Sequence, residues 1–186
     1  MSYFLGFLPN KESRYEISKV VGEIGMVFDD FGIPVRWVKP KTFHLSLYYL
    51  GENLSFVSKL LLKSKKSKLQ FKKINISFST VKVGISRNYK ELVYLDLREG
   101  GEELRELILQ LRKILRGKDI SMFVPHLTIG RISKDLSPEE YRNVAKDVLR
   151  VSKKLKLNDI QFTVTTIYLI ESKEGNYSFK MKFEAV

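Results

Sequence analysis

Hydrophobic and polar positions along the chain alternate in short runs, and longer runs with helical spacing separate them. In residues 2–8, Tyr3, Leu5 and Phe7 alternate with Phe4, Gly6 and Leu8 before Pro9-Asn10, which predicts a mostly buried strand. Residues 11–31 carry Ile17, Val20, Val21, Ile24, Val27, Phe28 and Phe31 on one helical face, and Gly32 stands where a C′ glycine ends a helix. A short strand follows at 35–38, stopped by Pro40, and a longer one at 43–50, closed by Gly51. Residues 55–66 read as a short helix with a Leu60-Leu61-Leu62 stripe and a lysine-rich end. Residues 69–86 alternate as one bent strand or two.

The second half repeats this order. A strand is predicted at 92–97, then a helix at 102–115 with Leu104, Leu107, Ile108, Leu111 and Leu115 on one face and Gly117 beyond its end. A strand at 125–132 leads to Ser137-Pro138-Glu139-Glu140, a capping box with proline at the first helical position. Residues 160–172 form a strand, 173–176 a turn, and 177–183 a last strand. Strand, helix, strand, helix, strand thus occurs twice. Residues 74–86 lie over 160–172 without a gap, at an offset of 86, and residues 3–8 resemble 93–97 in pattern. With no linker between the halves, the chain reads as a single duplicated domain with repeats of about 1–88 and 89–186.

Each half holds one histidine, and both stand in the same frame. The first is Phe43-His44-Leu45-Ser46-Leu47-Tyr48, and the second is Pro125-His126-Leu127-Thr128-Ile129-Gly130, 82 residues later. On a strand, residues two apart share a face, so His44 presents with Ser46 and His126 with Thr128. Leu45, Leu47, Leu127 and Ile129 then point into the core. Packing the halves about a pseudo-two-fold brings two imidazoles and two hydroxyls around one point, with no carboxylate and no metal-ligand set. Two imidazoles suit a general base and a general acid on opposite sides of a phosphorus. The hydroxyls can donate to non-bridging oxygens. This is phosphodiester chemistry that calls for no metal and no cofactor.

Composition narrows the setting. The formal net charge of +12, from 33 Lys+Arg against 21 Asp+Glu, points to a polyanionic partner, although a solvated lysine-rich surface has the same composition. The absence of cysteine excludes disulfides, thiolate metal sites and a cysteine nucleophile, and two histidines cannot fill a three-histidine zinc centre. No apolar run approaches the roughly 20 residues of a membrane span, and no signal peptide is read. The expectation is a soluble cytoplasmic monomer.

The paired motifs resemble those of the two-histidine (2H) phosphoesterases, which carry a His-x-Thr/Ser-x (HxTx) motif in each half of a duplicated fold. Among these the chain most resembles the RNA 2′,3′-cyclic phosphodiesterases, also called 2′-5′ RNA ligases. The likeness runs through Phe4-Leu5-Gly6-Phe7, Arg36-Trp37-Val38, residues 44–52, residues 123–131 and residues 168–172. The resemblance implies an α+β, bilobal fold of two antiparallel sheets flanked by helices, with the site in a central cleft. It implies opening of RNA 2′,3′-cyclic phosphate ends, tRNA fragments among them, to 2′-phosphomonoesters. His44 would be the proton donor, His126 the proton acceptor, and Ser46 and Thr128 the phosphate contacts. Ser46 stands for the commoner Thr, Val124 for an Arg and Gly130 for an Ala. Arg131 matches the family's arginine after the second motif. Strict alternation puts it opposite His126, so it reaches the site through a bulge or by its length, or else forms a surface ion pair. Tyr48 shares the His44 face and is a candidate for base stacking or for the core, and Trp37 for a platform or for packing. The lysine-rich 63–73 reads as a solvated face. Two alternatives stand beside this reading: a 2H enzyme acting on a cyclic nucleotide or a 2′-5′ oligonucleotide, and a non-catalytic RNA-binding module.

Overall fold

The computed structural model describes residues 1–64, 69–84, 90–115 and 124–186. Gly117, Phe123, part of the lysine-rich run and the end of the strand predicted to reach residue 86 lie outside the described residues. The strands are β1 (Ser2–Phe7), β2 (Val35–Trp37), β3 (Leu45–Gly51), β4 (Ile74–Val83), β5 (Leu92–Glu99), β6 (His126–Ile132), β7 (Gln161–Val164), β8 (Thr166–Lys173) and β9 (Asn176–Glu184). The helices are α1 (Lys11–Asp30), α2 (Phe56–Ser64), α3 (Gly101–Leu115) and α4 (Pro138–Ser152).

Local chemistry sets the helix ends. The Asn10 side chain caps α1 by accepting from the Ser13 N–H, and Gly32 leaves it with φ of 61°. Ser137 and Glu140 form the reciprocal capping box of α4. The predicted faces are the buried ones: Ile17, Val20, Ile24, Val27 and Phe28 in α1, and Leu104, Leu107, Ile108 and Leu111 in α3. In α2 only Leu62 of the leucine stripe is buried, while Leu60 is exposed. No helix among the described residues is long and apolar enough to cross a membrane.

The strands form one curled antiparallel sheet in the order β7-β4-β5-β6-β3-β1-β8-β9, with β2 on β6. The two repeats expected from the sequence therefore interleave in it, with β1 on β8, β2 and β3 on β6, and β4 on β5 and β7. Between β3 and β6 the pairing is that of Leu45 with Leu127. Only Thr165 separates β7 from β8, so the sheet bends back on itself. The predicted strand 160–172 breaks there. Its counterpart 86 residues earlier, Ser79, is the residue left unpaired where β4 slips against β5.

The two lobes also share a second irregularity. On β3, Ser46 pairs with Gly6 and Tyr48 with Leu5, leaving Leu47 as an extra residue. On β6, Thr128 pairs with Tyr94 and Gly130 with Val93, leaving Ile129 extra. Such a bulge shifts by one the frame of every residue after it. Gly6 permits the first slip, because a Cβ there would lie 2.3 Å from the Leu45 carbonyl oxygen. Gly6→Ala is accordingly expected to cost about 1–3 kcal/mol, read as a lower urea midpoint with the slope unchanged. An unaltered midpoint would show that β1 and β3 can part without loss.

Candidate active site

The site is built on the Leu45–Leu127 pair. Both leucines are buried, at 1% and 0% exposure, and Leu47 and Ile129 are buried with them. Their apolar contacts hold β3 and β6 against the core. One residue to either side, antiparallel register sets His44 across from Thr128 and Ser46 across from His126. All four side chains are half-buried, alternating with the buried leucines and Ile129. The groove expected between two sheets is the divergence of these two neighbouring strands.

Backbone carbonyls orient both rings. His44 Nδ1 lies 2.9 Å from the Thr42 carbonyl oxygen, and His126 Nδ1 lies 2.8 Å from that of Val124. An N–H at Nδ1 donates to the carbonyl in each case, and Nε2 carries the lone pair of the neutral ring. Val124 acts here through its backbone, so the departure from arginine leaves this contact intact. Burial is the main cause that pushes both imidazoles below their ordinary pKa, and the positive charge of Arg131 adds to it in both.

The surroundings of the two rings differ. His44 is flanked by Phe4, with ring centroids 4.8 Å apart, and by Tyr177, edge-on at 5.4 Å. Tyr177 Oη also lies 2.9 Å from His44 Nδ1. Burial raises the Tyr177 phenol to about 12, so it stays protonated and neutral. His126 meets Tyr94 edge-on at 5.3 Å. Asp96 pairs with His126 across the ladder, and its charge raises the His126 pKa against the larger effect of burial. The expectation of a site without a carboxylate is thus corrected. Asp96 itself is held by Lys82. None of Phe4, Tyr94, Asp96 or Tyr177 was singled out from sequence, because each reaches the site through strand pairing and not through a motif.

The bulge at Ile129 decides where Arg131 points. Beyond it the pattern shifts, so that Gly130 and Ile132 are buried and Arg131 is exposed on the side of the histidines. Arg131 bonds Glu91 at 3.0 Å while its charge acts on both imidazoles, so the ion pair and the approach to the site coexist. With the equivalent slip at Leu47, Tyr48 packs against the core, the second of the two places the sequence offered for it. Its neighbour Tyr49, opposite Phe4 and 62% exposed, takes the cleft face instead. Trp37 packs on Phe28 and covers Gly130, where a Cβ would come within 2.7 Å of the indole. That contact accounts for glycine at 130 and makes Trp37 a packing residue. The hydroxyls of Ser46 and Thr128 have no hydrogen-bond partner among the described residues.

Comparison with known proteins agrees with this geometry. No curated protein matches the chain. Solved structures do, at low identity and over nearly the full length. E. coli LigT complexed with 3′-AMP is 17% identical with a TM-score of 0.70, covering 99% of this chain and 97% of that one. TT0787 of Thermus thermophilus is 17% identical with a TM-score of 0.65, covering 99% and 97%. Usb1 of Kluyveromyces marxianus is 12% identical with a TM-score of 0.67, covering 98% and 96%. These likenesses establish the fold. The family model of the 2′-5′ RNA ligase superfamily matches residues 36–176, a span that contains both histidine motifs and the slipped ladder between them. The chain belongs to the 2′-5′ RNA ligase superfamily, one of the two-histidine phosphoesterases.

Proposed function

We propose that the protein opens RNA 2′,3′-cyclic phosphate ends to 2′-phosphomonoesters with His44 and His126 as acid and base, and without a metal ion. The observation that carries this reading is the matched placement of the two His-x-hydroxyl motifs at one buried leucine pair. The same reading takes residues 1–88 and 89–186 as two copies of one unit. LigT complexed with 3′-AMP supports a ribonucleotide phosphate in the cleft.

In the proposed reaction the phosphate sits between the two Nε2 atoms, its non-bridging oxygens taking hydrogen bonds from Ser46, Thr128 and Arg131. Neutral His126 accepts a proton from water as the water oxygen bonds to phosphorus. The bond from phosphorus to O3′ breaks, and protonated His44 donates to O3′. The products are a 3′-hydroxyl and a 2′-phosphomonoester, and solvent resets the two rings. A 5′-hydroxyl attacking phosphorus in place of water, with the bond to O3′ breaking and His44 protonating O3′, yields a 2′-5′ linkage.

Turnover of a short RNA with a cyclic end is expected to survive EDTA, with the 2′-phosphate as product. His44→Ala and His126→Ala should each lower kcat by roughly 100-fold or more. Loss of activity in EDTA, or full rate in either variant, rules the mechanism out. Running 2′,3′-cyclic mononucleotides and 2′-5′ oligonucleotides alongside tests the substrate class.

The acidity of the site gives a second expectation. Because both pKa values lie below 6.5 in the free protein, each imidazole loses its proton earlier as pH rises. Both limbs of the kcat/KM bell move down with them, so its maximum should fall on the acid side of pH 6.5. Arg131→Met removes a charge that lowers both, and should move the whole bell to higher pH. A maximum above neutrality in the unaltered protein, or no movement in the variant, contradicts the assignment.

A further inference from the structure

The two halves of the cleft are alike in backbone and different in filling. On the first half, the cross-strand row runs from Ser46 through Gly6 to Tyr168. The equivalent row on the second half runs from Thr128 through Tyr94 to Lys82. At Gly6 the place of a side chain is taken by the Leu45 carbonyl and the Phe4 ring, whereas Tyr94, 5% exposed, packs its own ring on His126. Beside that ring, Lys82 and Asp96 are engaged with each other. The His126 side is therefore occupied by Tyr94, Lys82 and Asp96. The His44 ring is covered by Phe4 and Tyr177, and open space lies beyond Tyr177.

This space is a cavity of about 500 Å³, walled by Tyr168, Tyr177, Phe179 and Thr42, with Arg14 and Lys41 at its rim. Tyr177 and Thr42 are the two residues that contact His44 Nδ1, so the cavity shares a wall with the proposed proton donor. Phe179 is 52% exposed, and its ring centroid lies 4.8 Å from that of Tyr168, which makes an aromatic platform open to solvent. Exposed aromatic faces of this kind stack on bases without regard to their identity. The Lys41 ammonium donates to Asn176 Oδ1 at 3.0 Å, and Arg14 Nε lies 3.4 Å from the Asn10 carbonyl oxygen. Among the described residues neither cation is paired with a carboxylate. Two uncompensated cations beside an aromatic face fit one phosphodiester and the base attached to it.

The geometry points to this cavity as the subsite for the penultimate nucleotide of the RNA, with Arg14 and Lys41 on the phosphodiester and Phe179 under the base. This assignment rests on the proposed acid and base roles and extends them. The donor to O3′ must stand beside the terminal ribose, whereas the base at His126 needs room only for water. The strand leaves the ribose on the His44 side, toward the open cavity, and the filled side by Tyr94 receives the water. The protein thereby distinguishes an RNA end from a cyclic mononucleotide, which has nothing to place in the subsite.

Binding of a trinucleotide ending in a 2′-phosphate, compared with adenosine 2′-monophosphate, tests the subsite without turnover. The unaltered protein should bind the trinucleotide at least about 10-fold more tightly. Arg14→Ala combined with Lys41→Ala should bring that ratio close to one. It should also reduce the slope of log affinity against log salt for the trinucleotide by about 0.7, the loss of one single-strand phosphate contact. Phe179→Ala should lower the ratio without changing the slope. Lys82→Ala, on the His126 side, should leave the ratio as it is. A ratio near one in the unaltered protein, an unchanged ratio in the double variant, equal loss of both ligands, or a ratio that collapses in Lys82→Ala overturns the assignment. Turnover of cyclic ends is measured separately. Preference for the trinucleotide without any opening of the cyclic phosphate refutes the proposed reaction alone, and turnover without the preference refutes the subsite alone.

Discussion

Leu45 and Leu127 face each other on neighbouring antiparallel strands, and this buried pair decides where both imidazoles stand. Hydrogen bonding between β3 and β6 is confined to that pair, so the strands diverge immediately beyond it and their polar faces open into a cleft. Two bulges then adjust what each strand presents. Without the extra Ile129, Arg131 would point into the apolar interior at the cost of burying a guanidinium, and Gly130 would sit in the cleft. With it, the arginine turns to the histidines and the glycine lies under the Trp37 indole. A one-residue slip thus places a cation at the site and closes the core behind it.

The parts of this arrangement written in local chemistry could be read from the chain. The Ser137 capping box, the glycine after α1 and the apolar faces of α1 and α3 follow from side chains a few residues apart. The offset of 86 holds in the ladders, where Lys82 pairs with Tyr94 and Tyr168 with Gly6. Period-two reasoning failed at the bulges, because it assumes an unslipped ladder. Taken alone it places Tyr48 on the cleft face and Arg131 across from it; the core packing of Tyr48 and the bulge before Arg131, each named beside it as an alternative, are what the ladders hold. The shift is visible in retrospect at 126–132, where the polar positions are 126, 128 and then 131. Asp96 and Tyr177 were illegible for a different reason. Their nearness to the histidines comes from pairings between segments 30 and 133 residues apart, which no local pattern encodes.

The proposed duplication makes the two histidines equivalent, whereas the proposed acid and base reaction needs two different ones. The difference is made by neighbours and not by the motifs. His126 has Asp96 across the ladder, a carboxylate whose charge favours the protonated ring. That is consistent with a base that must take up a proton. His44 has no such carboxylate among the causes acting on it, and both the other imidazole and Arg131 oppose its charge. Its hydrogen-bond partners at Nδ1, the Thr42 carbonyl and the neutral Tyr177 phenol, orient the ring without supplying a countercharge.

In the proposed reaction the donor ring is thus placed where burial and the charge of Arg131 work against its protonation. The missing negative charge has one natural source in the proposed reaction, the phosphate itself. A phosphodiester anion between the two Nε2 atoms stabilises an imidazolium at close range, in a half-buried cleft where screening by water is weak. The protonated donor would then be formed by substrate binding, and both rings would rest neutral in its absence. In the proposed reaction the same anion would also meet Arg131, whose charge lowers both pKa values in the empty cleft and would neutralise developing charge in the complex. A cation that opposes the acid in the empty cleft is therefore compatible with catalysis, because its partner in the working complex is the phosphate and not the imidazole.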